Sequence, residues 1–160
     1  MEYPGDWCLR DSNEGDEPYL LEKEFAGKTD WRNLESTFID QAPDGYASAL
    51  SFFSDEAFHF YLPAYLIADI DDQLERTDPV FYLCHGLQDE SKSERVNPRR
   101  YGERTWFQAM QHKFAMFNRV EVSAIVAYLK FKRESDEFQR DSIDQGLRNY
   151  WLDRAGESSA

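Results

Sequence analysis

The sequence contains little cysteine and no matched pair of cysteines. Cys8 and Cys84 are the only two in 160 residues. They form neither a metal-binding spacing nor the dense disulfide framework on which small secreted domains depend. Since Cys8 lies close to the amino terminus of the sequence, we expect no structural disulfide between the two.

The sequence also lacks the features that direct a chain to a membrane or across it. Its longest apolar run is shorter than the roughly 20 residues that a bilayer span requires. The chain opens with MEYPGD, without the basic and apolar regions of a secretory signal. We therefore expect a cytoplasmic protein with no membrane partner.

Basic residues are scarce in the first part of the chain. The net charge is −13, and residues 1–91 carry 21 acidic and 5 basic side chains, whereas residues 92–160 carry 10 acidic and 13 basic ones. An acidic surface repels nucleic-acid phosphates, so no nucleic-acid partner is expected. It would attract a basic protein or a cation, although acidity is also a common route to solubility.

No pattern of a known catalytic or cofactor-binding site is present. The chain has no GxSxG, phosphate-loop, GxGxxG or HExxH sequence. Glu56 and His59 form one Glu-x-x-His pattern, but a di-metal site needs a second such pattern and further carboxylates. We therefore expect no catalytic residues, no metal and no cofactor, and a non-enzymatic role is favoured.

What the sequence does have is an apolar central stretch. From residue 57 to residue 70, 11 of 14 side chains are apolar or aromatic. A helix that is apolar on every side must be buried on every side. Ser54 is a favourable N-cap, and Asp55 and Glu56 follow it where the helix dipole favours carboxylates. We predict a central helix over about residues 55–74.

Pro63 interrupts this pattern. Its ring clashes with the carbonyl of His59, and it has no amide hydrogen to donate. Leu62 would be a poor cap for a second helix, so a kink of more than ~20° is favoured over a break. The carbonyl of His59 then needs another donor, and the nearest hydroxyl groups belong to Tyr61 and Tyr65.

This stretch resembles the signature of a bacterial family of unknown function. The resemblance lies in the helix start at Ser54 and in the sequence FYLPAYL at residues 60–66, and it extends to residues 78–81 and to a helix start near Asn118. It covers about residues 20–152. It implies a small, mostly helical, cytoplasmic protein and no particular activity, because none is established for that family.

The whole chain predicts a single-domain, mainly α-helical bundle around the kinked central helix. Residues 1–18 are expected to be a flexible acidic lead-in, residues 19–153 the helical domain and residues 154–160 a tail. Residues 80–84 are β-branched and aromatic, so a short strand pairing with residues 113–117 is expected, with an extended core segment as the alternative.

Two further segments show helical periodicity. Trp31, Leu34 and Phe38 recur at i, i+3 and i+7, which predicts an amphipathic helix over residues 30–41. A capping-box sequence at Asn118 precedes a second apolar stripe. The side chains expected in that stripe are Val122, Ile125, Val126 and Leu129.

The polar segment 86–103 contains the candidate binding residues. Structureless connections of this length are uncommon and tend to be functional or mobile. Guanidinium groups suit phosphate or carboxylate ligands. The candidate ligand-binding residues are Arg95, Arg99, Arg100, Tyr101 and Arg104.

Local charge compensation is the alternative role for these arginines, and it is favoured. The central helix ends in three carboxylates, Asp69, Asp71 and Asp72, where the helix dipole disfavours negative charge. We therefore expect Arg99 or Arg100 within ion-pair range of one of them.

Charge leads to the functional expectation. The acidic residues 1–91 would be the natural face for a basic protein partner, as in an antitoxin or immunity protein, by charge analogy only. The alternative is a small enzyme or anionic-ligand-binding protein that uses residues 95–104. Nothing in the sequence indicates the oligomeric state.

Overall fold

Helices and turns make up the computed structural model, which describes residues 1–43 and 48–157. Contacts divide the chain into two compact units, Met1–Pro79 and Val80–Ala160. The predicted mainly α-helical fold is confirmed. A single domain over residues 19–153 stays a prediction, as do the flexible lead-in and the tail, whose last three residues lie outside the described ranges.

In residues 1–43 and 48–79, the first unit contains three α-helices, which are α1 (Glu17–Phe25), α2 (Ser36–Gln41) and α3 (Asp55–Ile70). The helix predicted over residues 30–41 is divided into a 3₁₀ turn, Trp31–Asn33, and α2. The Asp30 carboxylate accepts a hydrogen bond from the Arg32 amide at 3.0 Å and caps the turn. Leu34 is extended (φ −79°, ψ 127°), so the chain leaves the turn before α2 begins.

Helix α3 begins as predicted. The Ser54 hydroxyl oxygen accepts a hydrogen bond from the backbone amide three residues on, at 3.0 Å. The helix continues through Pro63, which rules out a break there, while the size of the bend stays a prediction. Tyr61 does not serve the carbonyl of His59, because its hydroxyl donates to the carbonyl of Lys28 at 2.6 Å.

Helix α3 ends at Ile70, earlier than predicted. Asp72 adopts a left-handed conformation with φ 57°. The amides of Asp72 and Gln73 then donate to the carbonyls of Asp69 (3.1 Å) and Ala68 (2.9 Å). This Schellman arrangement satisfies two terminal carbonyls and stops the helix. Glycine usually occupies the left-handed position, so an aspartate there gave no signal in the sequence.

The core of the first unit is built around α3. Its side chains with at most 3% exposure include Phe58, Phe60, Tyr61, Leu62 and Tyr65. Phe25 of α1 and Phe53 lie against the Tyr61 ring, with centroids 5.0 and 5.1 Å away. Leu66, by contrast, is only half-buried. The prediction that this helix is buried on every side is wrong at Ile67 and Ile70, which are 50% and 46% exposed.

The amino-terminal segment also packs on the region around α3. Leu9 is completely buried, and its carbonyl accepts a hydrogen bond from the Ser54 amide at 2.9 Å. The Asp11 amide donates to the carbonyl of Phe52 at 3.0 Å. Trp7, by contrast, is 86% exposed. Leu9 therefore anchors this segment.

The second unit is a bundle of short helices around one long one. They are α4 (Pro79–Cys84, which starts at the last residue of the first unit), α5 (Pro98–Tyr101), α6 (Trp106–Phe114), α7 (Arg119–Ser135), α8 (Arg140–Gly146) and α9 (Leu152–Ala155), with a π-helical turn at Leu147–Trp151. The predicted capping box of α7 is present, with Asn118 and Glu121 bonded to each other's amides at 2.9 Å.

The predicted strand pairing of residues 80–84 with residues 113–117 is wrong. Residues 79–84 form α4, and Phe114 ends α6. Pro79 suits the first position of a helix, because its φ is preset and an amide hydrogen there would have no helical partner. Burial at helical spacing outweighs the β propensity of this segment. The side chains with at most 1% exposure are Val80, Leu83, Cys84 and Leu87.

The core of the second unit combines the predicted α7 stripe with a buried tryptophan. Val122, Ile125, Val126 and Leu129 are at most 2% exposed, as predicted. The Trp151 indole nitrogen donates to the carbonyl of Leu83 at 2.9 Å, and the Phe114 ring lies 4.8 Å from the Trp151 ring. Helix α8 approaches α4 closely at Gly146, where a Cβ atom would lie 2.9 Å from the Cys84 sulfur.

This close approach predicts a destabilising Gly146→Ala substitution. Helix propensity alone favours alanine by about 1 kcal/mol. The added methyl group would meet a completely buried side chain, and overpacking of this kind costs about 1–3 kcal/mol. We expect Gly146→Ala to lower the free energy of unfolding in urea, and to cost less in a Cys84→Ala background. An equal or higher stability of the single variant would contradict the close packing.

Candidate functional site

The predicted arginine site lies on a closed loop of the second unit. The Trp106 amide donates to the carbonyl of Glu94, and the Val96 amide donates to the carbonyl of Arg104, both at 3.0 Å. These bonds join the two ends of the segment and leave the short helix α5 at its tip. Residues 94–106, in the second half of the polar segment and just beyond it, therefore form a closed loop.

The arginines of this loop have different surroundings. The Arg95 guanidinium pairs with the Glu103 carboxylate at 3.1 Å. The Arg100 guanidinium lies 5.4 Å from the centre of the Tyr101 ring, and both Arg99 and Arg100 are exposed. Arg95 is thus compensated within its own loop. A ligand at the loop stays a prediction, and so does the pairing of Arg99 or Arg100 with the carboxylates that end α3.

A groove in the first unit offers a second candidate site. It is an open groove with a volume of about 110 Å³, which is smaller than the roughly 300–1,000 Å³ of typical small-ligand pockets. Its polar rim includes Ser36 and Gln73. Its apolar lining consists of Trp31, Leu34, Ile39, Ala64, Ile67 and Ala68.

Three local features of the chain form this groove. The break between the 3₁₀ turn and α2 separates Trp31 and Leu34 from the helical face on which their spacing would have placed them. Small side chains at Ala64 and Ala68 leave space along one side of α3. Ile67 borders that space and is 50% exposed. Because α3 is apolar on every side, periodicity alone could not show that one of its faces stays open.

A buried carboxylate holds the segment that follows α3 against α2. Asp40 of α2 is 7% exposed. Its two oxygens accept hydrogen bonds from the amides of Glu75 (3.0 Å), Arg76 (3.0 Å) and Thr77 (2.9 Å). This clamp fixes the segment that begins at the groove's rim.

The clamp changes the acidity of Asp40. Burial by itself raises the pKa of this carboxyl group. The hydrogen bonds from the amides of Thr77, Arg76 and Glu75, together with the charge of Arg76, outweigh burial and hold the pKa below its usual range. Asp40 is therefore ionised in the folded protein at neutral pH. Sequence reasoning missed this residue, since a single aspartate in a short helix carries no signal of its own.

Acidic side chains surround the groove along the chain. Glu35 lies between two lining residues, and Asp71 and Asp72 lie between Ala68 and Gln73; all three are exposed. The one basic side chain in the lining, Arg32, pairs with the Asp30 carboxylate at 3.2 Å and lies 5.0 Å from the Trp31 ring. The groove therefore has an apolar floor, and exposed carboxylates neighbour its lining residues in the sequence.

Residues 1–43 and 48–157 contain neither a cluster of metal-binding side chains nor a helix that could span a membrane. In these ranges, no group of three or more His, Cys, Asp or Glu side chains is placed to hold a metal ion. No helix there has both the length and the apolar character needed to cross a bilayer.

The Asp40 clamp predicts a pH-dependent stability difference. Asp40→Asn loses one acceptor oxygen and the charge. We therefore expect its free energy of unfolding at pH 7 to be about 1–3 kcal/mol lower than that of the parent. Because the folded-state pKa is lowered, this contribution is present above the pKa of an unfolded aspartate, about 3.9. The stabilising contribution of the Asp40 carboxylate is lost as the pH falls through its pKa in the folded state.

The measurement is urea unfolding of the parent and the variant between pH 7 and pH 3, with Glu75→Gln as the control. The Glu75 carboxylate is exposed, and only its backbone amide meets Asp40. Equal stability of the parent and Asp40→Asn at pH 7 would show that the clamp contributes nothing.

Comparison with known proteins identifies a family but not an activity. The model of a family of unknown function, DUF6714, matches residues 9–155. Both ends of the match are buried, since Leu9 is completely buried and Ala155 is 6% exposed. No curated protein and no solved structure matches the chain. The match covers nearly all of the sequence, and the chain belongs to the DUF6714 family.

Proposed function

We propose that the protein acts by binding, and that its partner is a basic protein which docks on the first unit. The observation that carries this proposal is the distribution of charge between the two units. Residues 1–79 contain 19 acidic and 5 basic side chains, for a net charge of −14, whereas residues 80–160 contain 12 acidic and 13 basic ones. The entire negative excess of the chain belongs to the first unit.

Folding of the first unit alone cannot neutralise this charge, because its own basic side chains are too few. A field of this size repels anions, attracts cations and raises the association rate of an oppositely charged protein. Many of the carboxylates are exposed, among them Glu24, Glu35, Asp71 and Glu75. Solubility alone would be served equally well by carboxylates spread over both units.

The unit's own contacts show how such a surface can hold an arginine. The Arg10 guanidinium lies 4.6 Å from the centre of the Tyr19 ring and also pairs with the Glu22 carboxylate. A cation held between an aromatic face and a carboxylate is a recurring mode of arginine recognition. Tyr19 is 51% exposed and Trp7 is 86% exposed. Exposed aromatics beside carboxylates would supply the same contacts to a partner.

The arginine loop supports the alternative, an anionic ligand, less well. Arg95 already has a carboxylate partner in the loop. Arg99 and Arg100 are exposed on a helix of four residues. Phosphate that raised the melting temperature of the parent, but not that of Arg99→Ala/Arg100→Ala, would favour this alternative.

The test is affinity capture from the organism that encodes the protein, followed by salt titration of the purified complex. One variant removes four exposed charges from the first unit: Glu24→Gln, Glu35→Gln, Asp71→Asn and Glu75→Gln. The matched control removes four exposed charges from the second unit: Glu94→Gln, Glu134→Gln, Glu137→Gln and Asp153→Asn.

We expect a basic protein whose affinity falls steeply between about 0.05 and 0.5 M salt, because added salt screens exposed charges. The first-unit variant should bind about tenfold or more weakly, and the control close to the parent. A captured partner that is insensitive to salt, equal effects of the two variants, or capture of no basic protein would contradict the proposal.

A further inference from the structure

We infer that the groove of the first unit receives an apolar side chain from a basic segment of the partner. This inference rests on the proposed function and names the contact that would give the binding its specificity. Net charge attracts a partner, but it does not fix which segment of the partner binds or in which position. A buried anchor side chain does both. The groove bounded by Trp31 and Ile67 is where the acidic unit offers such an anchor site.

The groove is small, with a volume of about 110 Å³, so it suits a single aliphatic side chain better than a larger ligand. Ile39, Ala64 and Ala68 are at most 8% exposed and form a closed floor. Above them stand the half-buried Trp31 ring and the 50% exposed side chain of Ile67. Ile70, one helical turn after Ile67, is 46% exposed and extends the apolar strip along α3. Covering this strip would remove large apolar side chains from water.

Charge at the border of the groove selects a basic segment. Exposed Glu35, Asp71 and Asp72 adjoin lining residues in the chain. Groove residue Ala68 lies in the last turn of α3, where the helix dipole adds a partial negative charge. Lysine or arginine on either side of an apolar anchor would face these groups.

Arg32 does not reverse this preference. Its guanidinium pairs with Asp30 at 3.2 Å and lies over the Trp31 ring at the rim. An anionic apolar ligand would have to compete with that carboxylate in a unit of net charge −14. It would also meet repulsion from the other carboxylates around the groove. An acidic ligand is therefore the alternative that the experiment must distinguish from a basic segment.

The experiment uses three synthetic, fluorescently labelled peptides of about twelve residues, a length that covers one groove. The first peptide is rich in lysine and arginine and has one central leucine. The second replaces that leucine with serine, and the third keeps the leucine among aspartate and glutamate. Each is titrated with the full chain, with Ile67→Ser, and with Val120→Ser, a control that truncates a 79% exposed side chain of the second unit. Amide chemical shifts of the parent locate the bound peptide without any substitution.

We expect the basic leucine peptide to bind about tenfold more tightly than the serine peptide, the order of gain from burying one leucine. Ile67→Ser should remove most of this gain, and Val120→Ser should retain it. The amides of Ala64 and Ala68 should shift with the leucine peptide alone.

The outcomes distinguish this inference from the proposed function. Equal binding of the two basic peptides, a leucine gain that survives Ile67→Ser, or tighter binding of the acidic peptide would overturn the groove assignment. If the basic peptides bind the first unit with steep salt dependence but without a leucine gain, the proposed function stands and the groove inference fails. If neither basic peptide binds the chain, both fail.

Discussion

The first unit depends on the burial of one helix that is apolar on every side. Helix α3 places Phe58, Phe60, Tyr61, Leu62 and Tyr65 in the core. The remaining elements of the unit are short, and elements of that length are not stable in water without packing partners. Their positions therefore follow from the surface of α3 that each of them covers. The part of that surface that stays uncovered includes Ile67, which borders the groove, and Ile70; these side chains are 50% and 46% exposed.

Charge gives the two units different characters. The first carries the whole negative excess of the chain, and exposed carboxylates neighbour the lining residues of its groove in the sequence. The second is close to neutral, and several of its arginines make hydrogen bonds or ion pairs within the unit. Arg154, for example, donates to the carbonyl of Phe114, the last residue of α6, at 3.2 Å and to the carbonyl of Phe117, just before α7, at 2.7 Å. Positive charge in the second unit is thus partly used in holding helices together, whereas many carboxylates of the first unit are exposed, with the buried Asp40 as an exception.

The sequence predicted those features that depend on neighbouring residues. The Ser54 cap, the Asn118 capping box and the apolar stripe of α7 follow from spacing within a few residues, and all three are present. The strand prediction at residues 80–84 was wrong because β propensity competes with burial, and burial at helical spacing is decided by partners far along the chain. Asp40, the left-handed Asp72 and the exposure of Ile67 depend likewise on distant contacts. For the same reason the candidate groove could not be predicted, whereas the charge asymmetry was evident from composition alone.

Urea unfolding of two truncation variants in α3 tests most directly whether burial of this helix organises the first unit. Phe58 is completely buried, and Ile67, on the same helix, is 50% exposed. If the helix organises the first unit through burial, Phe58→Ala should lower the free energy of unfolding by about 2–5 kcal/mol through lost transfer energy and a cavity. Ile67→Ala should lower it by less than about 1 kcal/mol, because half of the side chain is already in water. Similar, small losses in both variants would show that α3 is not the element on which the first unit depends.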